Sequence, residues 1–292
     1  MPKAGIVTVV GKPNVGKSTL LNRIVGQKLS ITSPKPQSTR DRVVGIHTAD
    51  NAQMVILDTP GLLNPRYPLQ QAMRSAALGA LRDADVVIYL GDATEGTPPP
   101  LAEAAQIEEP LRAAVIVALN KADSLAMARR AELSSHQGVV LVSALTGDGV
   151  SELMTRVAVA LPESPFLYPE DEISTQPVRF FVAELVRETV LEQLHDEVPY
   201  SVAVQVEEFR EDRSPLYIRA VIYVERDSQK AIVIGNKGAQ IRKVGESARK
   251  KIELFVGAKV YLDLWVKVLA NWRKNPQSLS RFGYQLATGN AK

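Results

Sequence analysis

GKPNVGKS, residues 11–18, is the stretch that decides the fold of the first half of this chain. It matches G-x-x-x-x-G-K-[ST], a pattern in which the backbone N–H groups of a glycine-rich loop and a helix N-terminus surround phosphate oxygens. An apolar run at residues 6–10 precedes it, and apolar residues at helical spacing continue to Val25. We therefore predict a strand, a phosphate-binding loop and a helix, with Lys17 reaching the β and γ phosphates and Ser18 ligating Mg²⁺.

Three further motifs indicate that the nucleotide is GTP. Kinases and ATPases share the phosphate loop, but here DTPG at residues 58–61, NKAD at 120–123 and SAL at 143–145 follow it in the order expected of a GTP site. Asp58 ends an apolar run and is predicted to hold Mg²⁺ directly or through water. Asp123 is predicted to accept from the N1–H and the 2-amino group of guanine, donors that adenine lacks at those positions.

The predicted nucleotide contacts come from all four motifs. Asn120 is expected to brace the base-binding loop, Lys121 to lay its methylene stem along the base, and Ala144 to donate its N–H to guanine O6. The full set predicted to bind GTP or GDP is Gly11, Asn14, Val15, Gly16, Lys17, Ser18, Thr19, Asp58, Gly61, Asn120, Lys121, Asp123, Ser143, Ala144 and Leu145.

Composition favours a two-domain protein of ordinary globular type. The chain has 292 residues, which exceeds the usual size of one hydrophobic core. Of these residues, 45% are hydrophobic and 23% are charged, as in ordinary globular proteins. It has no cysteine, which excludes disulfides, thiolate metal sites and a cysteine nucleophile. No apolar run approaches the ~18 residues of a membrane span. The N-terminal residues lack a signal-peptide pattern, so we expect a cytoplasmic protein.

The formal net charge of +3 conceals an uneven distribution. Residues 171–227 carry 6 basic and 13 acidic side chains, whereas residues 228–292 carry 13 basic and 3 acidic ones, a net of +10. A positive region of this kind is typical of a protein that binds nucleic acid. Anionic lipid is the alternative partner, and the protein would then associate peripherally with the inner membrane surface as a signalling GTPase.

A proline-rich segment separates two predicted domains. Its composition, with four prolines between residues 162 and 177, is typical of a linker. We predict a GTPase domain at residues 1–163, a linker at 164–177 and a second domain at 178–292. The first should be an α/β fold with a mostly parallel sheet. The second has the predicted order α-β-β-α-α-β, which is that of an α+β, type II-like KH domain that binds RNA.

A G-x-x-G turn at residues 235–238 joins two predicted helices of the second domain. Glycines at such a turn let a sugar-phosphate backbone approach closely, and basic side chains beside it neutralise the phosphates. The alternative is that the turn only links the helices. Lys251 belongs to the same basic segment, and Trp265, Trp272 and Phe282 are candidates for base stacking, with at least one expected in the core. The predicted RNA-binding residues are Lys230, Gly235, Asn236, Lys237, Gly238, Arg242, Lys243, Arg249 and Lys250.

The whole chain resembles the Era family of GTPases, bacterial ribosome-assembly factors. The resemblance extends beyond the nucleotide motifs to PQSTRDRVVGIHT at 36–48, YPEDEISTQPVRFFVAELVRE at 168–188, IVIGNKGAQIRKVGESAR at 232–249 and LWVKVLANWRKN at 264–275. It implies an N-terminal GTPase domain and a C-terminal KH domain. It also implies binding to the 3′ end of small-subunit ribosomal RNA during assembly of the 30S subunit.

The resemblance also assigns residues to hydrolysis. The effector threonine of the family, which contacts Mg²⁺ and the γ-phosphate, falls on Thr39, with Ser38 as the alternative hydroxyl. The first switch is expected at residues 30–42 and the second at 61–73. The predicted catalytic residues are Asn14, Lys17, Thr39, Asp58 and Gly61, and the predicted Mg²⁺ ligands are Ser18, Thr39 and Asp58.

Two positions bear on the rate of hydrolysis. Many signalling GTPases have a water-positioning glutamine after D-x-x-G, whereas this chain has Leu62, so intrinsic hydrolysis is expected to be slow. Asn14 resembles the asparagine by which K⁺-activated relatives hold a monovalent cation against the phosphates. Its alternative role is to stabilise the turn of the phosphate loop.

Overall fold

The computed structural model describes residues 1–286, which form two compact units. The first unit comprises Met1–Pro65 and Ala72–Thr175, and the second comprises Arg66–Gln71 and the described residues from Gln176 onward. Residues 287–292, the end of the predicted second domain, lie outside the described residues.

The first unit is built on a six-stranded sheet of order β2-β3-β1-β4-β5-β6. Strand β2 runs antiparallel to β3, and the other neighbouring strands are parallel. The elements are β1 (Lys3–Val10), α1 (Lys17–Val25), β2 (Val43–Ala49), β3 (Ala52–Asp58), α2 (Pro68–Asp83), β4 (Val86–Asp92), α3 (Leu101–Ala105), β5 (Ala114–Asn120), α4 (Met127–Ser134), β6 (Val139–Leu141) and α5 (Val150–Ala160).

The parallel strands bring the nucleotide motifs to one edge of this sheet. Strands β3 and β4 contain continuous buried apolar runs, at residues 54–57 and 86–90, as expected of strands covered on both faces. In the strand register, Val9 lies opposite Asp58, and Asp92 lies opposite Asn120. The carboxyl ends of β1, β3, β4 and β5 therefore meet where open α/β sheets bind their ligands.

The segment predicted as a linker is attached to the first unit. The N–H groups of Leu167 and Tyr168 donate to Gln53 Oε1 at 2.7 and 2.9 Å, and the N–H of Ile46 donates to the carbonyl of Ile173 at 2.8 Å. Because the Gln53 side chain is fully buried, these bonds are shielded from water. They explain why the first unit extends to Thr175. The predicted domain limits stay a prediction.

The second unit has a three-stranded sheet of order β7-β8-β9, in which β7 is antiparallel and β9 parallel to β8. Helices α6 and α8 contribute buried residues such as Val186 and Ile252 to one core with Ile218 and Ile222 of the sheet. The order α-β-β-α-α-β is the predicted one, and a short helix follows it. The elements are α6 (Val178–Gln193), β7 (Ala203–Arg210), β8 (Leu216–Val224), α7 (Asp227–Ile234), α8 (Ala239–Val256), β9 (Val260–Val268) and α9 (Pro276–Arg281).

Candidate nucleotide site and RNA interface

The phosphate loop lies between β1 and α1, as predicted. Gly16 has φ of 97°, and a Cβ atom at this position would lie 2.2 Å from Asn120 Nδ2. A side chain here would therefore both strain the backbone and collide with the base-binding loop. Helix α1 begins at Lys17, so its N-terminal N–H groups face the same loop.

Lys17 is a buried cation within this loop. Its Nζ donates to the carbonyls of Gly11 at 3.2 Å and Lys12 at 2.9 Å. Burial lowers the pKa of Lys17 to about 8, an effect that the charge of Asp58 partly opposes. A buried ammonium held by carbonyls alone is well placed to exchange them for phosphate oxygens, whose negative charge favours its protonated form.

A cluster of hydroxyl groups surrounds Asp58 at the end of β3. Asp58 Oδ2 accepts from Ser18 Oγ and Ser30 Oγ, each at 2.6 Å, and from Thr39 Oγ1 at 3.4 Å. The Ser18 and Thr39 hydroxyl oxygens lie 2.8 Å apart. Burial raises the pKa of Asp58, while Lys17 and the three hydroxyls act in the opposite direction. The carboxylate thus joins the phosphate loop to the first switch.

The donors of this cluster fit a hard cation. Asp58 Oδ1 is buried and has no hydrogen-bond partner in the structure. Within residues 1–286 there is no group of three or more His, Cys, Asp or Glu side chains that could hold a metal ion. One carboxylate with two hydroxyls is a sparse set that suits Mg²⁺, which keeps waters and phosphate oxygens as its other ligands. All three predicted ligands lie together, and both candidate switch residues, Thr39 and Ser38, line the adjacent cavity.

Asn120 links the phosphate loop to the base-binding loops. Its Nδ2 donates to the carbonyl of Val15, and its Oδ1 accepts from the N–H of Ala144, both at 2.8 Å. Asn120 is buried, so both bonds are protected from water. The predicted bracing role fits this arrangement. The Ala144 N–H, predicted to donate to guanine O6, donates here to Asn120 Oδ1.

The NKAD and SAL motifs are joined through side chains. Asp123 Oδ1 accepts from Ser143 Oγ at 2.5 Å, which orients the carboxylate predicted to bind guanine. Lys121 Nζ pairs with Asp92 Oδ2 at 2.6 Å. Burial alone would raise the pKa of Asp92, but bonds from Lys121 and Thr94 outweigh it and lower that pKa. This ion pair holds the Lys121 ammonium beside Asp92.

Residues of all four motifs line one cavity of about 680 Å³. A volume of this order is typical of small-molecule sites. Four other predicted residues do not line the cavity but are hydrogen-bonded to residues that do. They are Gly11, Val15, Asp58 and Ser143. The predicted residues that line it are Asn14, Gly16, Lys17, Ser18, Thr19, Thr39, Gly61, Asn120, Lys121, Asp123, Ala144 and Leu145.

Three residues of the site were missed from the sequence. Asp92 follows an apolar run at the same sheet edge as Asp58, so its position carried a signal. Arg23 donates to the carbonyls of Ala144, at 3.2 Å, and Leu145. In the sequence, nothing distinguishes Arg23 from other polar residues on the exposed face of a helix. Ser30 lies in an irregular loop, where nothing in the local pattern distinguishes it.

The two positions that bear on hydrolysis have different surroundings. The side chain of Leu62 belongs to a buried cluster with Val10, Ala77 and Tyr89. It is therefore packed into the core and has no group with which to orient water. Asn14 lines the cavity, and its Nδ2 donates to the carbonyl of Pro34 in the first switch at 3.0 Å.

The G-x-x-G turn of the second unit has the backbone that glycine permits. Gly235 has φ of 72°, and a Cβ there would lie 2.7 Å from Gln240 Cβ. Asn236 and Lys237 between the glycines are exposed. The turn therefore presents backbone and a cation to solvent at the start of α8.

A groove of about 500 Å³ adjoins this turn, between α8 and β9. Ile241 and Leu264 provide apolar surface, while Arg242 and Arg249 add positive charge. Apolar surface beside basic side chains suits unstacked bases attached to a phosphate backbone. The other predicted RNA-binding cations, Lys243 and Lys250 on α8 and Lys230 on α7, are exposed or half-buried.

Not every residue of the basic segment belongs to this surface. Lys251 Nζ pairs with Glu188 at 2.9 Å and Glu192 at 2.7 Å on α6. Trp272 is fully buried and donates from Nε1 to the carbonyl of Ser201 at 2.7 Å, so it is the core aromatic that we expected. Trp265 remains 54% exposed.

Together, the fold and the two sites define a P-loop GTPase domain followed by a KH domain. A family model described as 50S ribosome-binding GTPase matches residues 6–121, and a KH domain model matches residues 197–273. GTPase Era of Geotalea daltonii is 44% identical over 296 residues, covering 97% of this chain and 98% of that protein. The chain belongs to the GTPase Era family.

Solved structures agree with this assignment. A variant of Aquifex aeolicus Era bound to GDP and AlF₄⁻ has a TM-score of 0.91 and 41% identity, covering 97% of this chain and 100% of that one. A structure of Era with MgGDPNP and nucleotides 1506–1542 of 16S ribosomal RNA has the same TM-score and identity, with coverage of 98% and 100%. The predicted fold class and GTPase activity are confirmed.

Among the helices of residues 1–286, none combines the length and the apolar character needed to cross a bilayer.

Proposed function

We propose that this chain is a cytoplasmic, Mg²⁺-dependent GTPase that binds the 3′ end of small-subunit ribosomal RNA and assists assembly of the 30S subunit. The observation that carries the proposal is the bonding of Thr39 in the first switch to Ser18 and Asp58 of the nucleotide site. Through this contact, the occupant of the cavity can influence the conformation of a loop. The RNA assignment is supported by the similar Era structure that contains 16S ribosomal RNA.

The residues of the chain divide the work of hydrolysis. The phosphate loop and Lys17 bind and orient the phosphates, and Ser18, Thr39 and Asp58 hold Mg²⁺. When bound, the metal neutralises charge on the β- and γ-phosphate oxygens. The residue after D-x-x-G is Leu62 rather than glutamine, and its side chain is packed in the core. No side chain at this position therefore orients the attacking water, and we expect slow turnover.

Asn14 is proposed to hold K⁺ beside the phosphates. Its side chain lines the cavity, and its Nδ2 donates to the Pro34 carbonyl of the first switch. The alternative is that Asn14 only stabilises the turn of the phosphate loop. Salt dependence of turnover separates the two roles.

The RNA-binding surface is proposed to consist of the G-x-x-G turn and the adjoining groove. On this proposal residues 1–163 bind and hydrolyse GTP, and residues 178–292 bind RNA. The test compares a single-stranded RNA from the rRNA 3′ end with vesicles of anionic phospholipid at the same salt concentration. We expect RNA binding and no co-sedimentation with vesicles. Vesicle binding without RNA binding would favour the alternative of a GTPase at the inner membrane surface.

A further inference from the structure

Ser30 lies at the start of the first switch and is buried, with 2% of its surface exposed. Its Oγ donates to Asp58 Oδ2 at 2.6 Å, the same length as the bond from Ser18. Unlike Ser18 and Thr39, Ser30 does not line the nucleotide cavity. Its hydroxyl therefore contacts the carboxylate from the protein side.

The side chain of Asn22 on α1 fixes the backbone of Ser30. Asn22 Oδ1 accepts from the N–H groups of Leu29 at 2.9 Å and Ser30 at 2.8 Å, and Asn22 Nδ2 donates to the Ser30 carbonyl at 2.8 Å. Three hydrogen bonds from one amide leave this backbone little freedom. The position of the Ser30 hydroxyl is thus determined by a helix that belongs to the phosphate-binding element.

The two oxygens of Asp58 differ in their surroundings. Oδ2 accepts from three hydroxyls, whereas Oδ1 is buried without a hydrogen-bond partner. Ser18 and Thr39 are proposed metal ligands, so their hydroxyl oxygens would be shared with Mg²⁺ when it binds. Ser30 donates to Asp58 but is not a proposed Mg²⁺ ligand.

We propose that Ser30 is a positioning residue for Asp58. Its hydroxyl, held by Asn22, keeps Oδ2 bonded to the protein, so that Oδ1 stays available to Mg²⁺ or to a water on Mg²⁺. This inference rests on the proposed GTPase function. Groups that orient a ligating carboxylate commonly change metal affinity by ~10–100-fold when they are removed.

The test measures Mg²⁺ affinity of the nucleotide-bound full chain. The protein is loaded with a fluorescent GDP, free Mg²⁺ is varied with an EDTA buffer, and the rate of nucleotide dissociation is followed. For Ser30→Ala we expect the Mg²⁺ concentration that halves this rate to rise ~10-fold. The rate in excess EDTA should stay within ~2-fold of wild type, because the base and phosphate-loop contacts are intact.

Two companion variants and one control isolate the hydroxyl. Ser30→Thr keeps a donor and should restore the wild-type Mg²⁺ dependence, whereas Ser30→Cys has similar size but donates weakly and should resemble Ser30→Ala. Thr8→Val is the control. The Thr8 hydroxyl is fully buried and donates to the Ala80 carbonyl at 2.8 Å, so its loss removes a buried hydroxyl that does not contact Asp58.

An unchanged Mg²⁺ midpoint in Ser30→Ala would overturn the inference. An equal change in dissociation rate with and without Mg²⁺ would also overturn it, because that result indicates a general loss of structure. If Ser30→Ala does not fold, the Mg²⁺ midpoint of Ser30→Cys decides in the same way. If the rate of nucleotide dissociation from the wild-type protein did not change with Mg²⁺ concentration, the proposed Mg²⁺-dependent function itself would be contradicted.

Discussion

Asp123 provides a test of base recognition at the level of one carboxylate. Its Oδ1 is oriented by Ser143 at 2.5 Å, and it lines the cavity. Asp123→Asn should weaken GTP binding by at least ~3 kcal/mol, about 100-fold in Kd, because two donors of guanine lose a charged acceptor. Binding of xanthosine triphosphate should improve, since its C2 oxygen accepts from the new amide. Competition binding of both nucleotides measures the switch.

A matched control for this substitution is Asp148→Asn. Asp148 pairs with Arg130 at the surface and does not line the nucleotide cavity. It should leave both nucleotide affinities unchanged. If Asp123→Asn preserved the preference for GTP over xanthosine triphosphate, Asp123 would not be the residue that recognises guanine.

Lys17 predicts a coupling between nucleotide binding and protonation. Burial lowers its pKa from 10.5 to about 8 in the folded protein. The unfolded chain therefore binds more protons than the folded chain between these values, and the penalty for burying charged Lys17 is lost as pH rises. Phosphates raise the pKa of Lys17, so GDP binding at pH 8.5 should take up protons. Calorimetry in buffers of different ionisation enthalpy measures this uptake.

The comparison at lower pH serves as the control for Lys17. At pH 7 the ammonium is already mostly protonated, so its contribution to proton uptake should be small. Proton uptake that was no larger at pH 8.5 than at pH 7 would contradict the lowered pKa or the contact between Lys17 and phosphate.

Asn14 predicts a specific salt dependence. If its side chain holds K⁺, replacing K⁺ by Na⁺ at constant ionic strength should lower GTP turnover, and Asn14→Ala should abolish the difference. GTP affinity in Na⁺ should change little, since other loop groups bind the phosphates. Steady-state hydrolysis in the two salts is the measurement. Equal wild-type rates in the two salts would leave Asn14 with its alternative role of stabilising the turn of the phosphate loop.

At the scale of elements, the G-x-x-G turn can be tested by charge. Asn236→Asp combined with Lys237→Asp places negative charge where phosphates should lie, so affinity for single-stranded RNA from the rRNA 3′ end should fall at least ~10-fold. The salt dependence should flatten because fewer counterions are released. GTP affinity should stay the same. Filter binding at several salt concentrations measures both quantities.

The control for the turn changes net charge equally at another place. Lys274→Asp with Gln277→Asp alters two exposed residues of the same basic segment, near α9. RNA affinity should fall much less in this variant, because neither residue belongs to the turn or lines the adjoining groove. An equal fall in both double variants would show that the surface is not centred on the turn.

The elements that bear the site were predictable because each motif ends or follows an apolar run that forms a strand. Asp58 and Asn120 follow continuous apolar runs, and parallel strands place their carboxyl ends at one edge. The side-chain hydrogen bonds that join separate segments of the chain have no corresponding pattern in the sequence. The bond from Asn120 to the Ala144 N–H and the bonds of Gln53 to the proline-rich segment join residues far apart in sequence. Only the folded chain brings these partners together.

At the scale of the whole molecule, acids of the segment 171–227 pair with cations of the basic segment 228–292. In the second unit, Glu192 pairs with Lys251 and Glu225 pairs with Arg273. The acidic segment therefore neutralises part of the basic one and leaves exposed cations concentrated at the turn and on α8.

The last prediction concerns coupling between the two functions. The γ-phosphate and its metal order switch loops in GTPases, and here Thr39 connects the first switch to Ser18 and Asp58. We predict that RNA affinity differs at least ~5-fold between the GDP-bound protein and one loaded with a non-hydrolysable GTP analogue at identical salt. Linkage requires that RNA then change the relative affinity for the two nucleotides by the same factor.

Thr39→Ala is the control for this coupling, because it removes the hydroxyl that joins the switch to the metal cluster. The ratio of RNA affinities in the two nucleotide states should fall towards one in this variant, while RNA affinity in the GDP state stays unchanged. Both halves of the linkage can be measured by titrating RNA into each nucleotide-loaded form and by titrating each nucleotide with RNA present and absent. Equal RNA affinities in the wild-type protein would mean that GTP hydrolysis and RNA binding are independent activities, since without a difference in affinity the nucleotide cannot shift RNA binding.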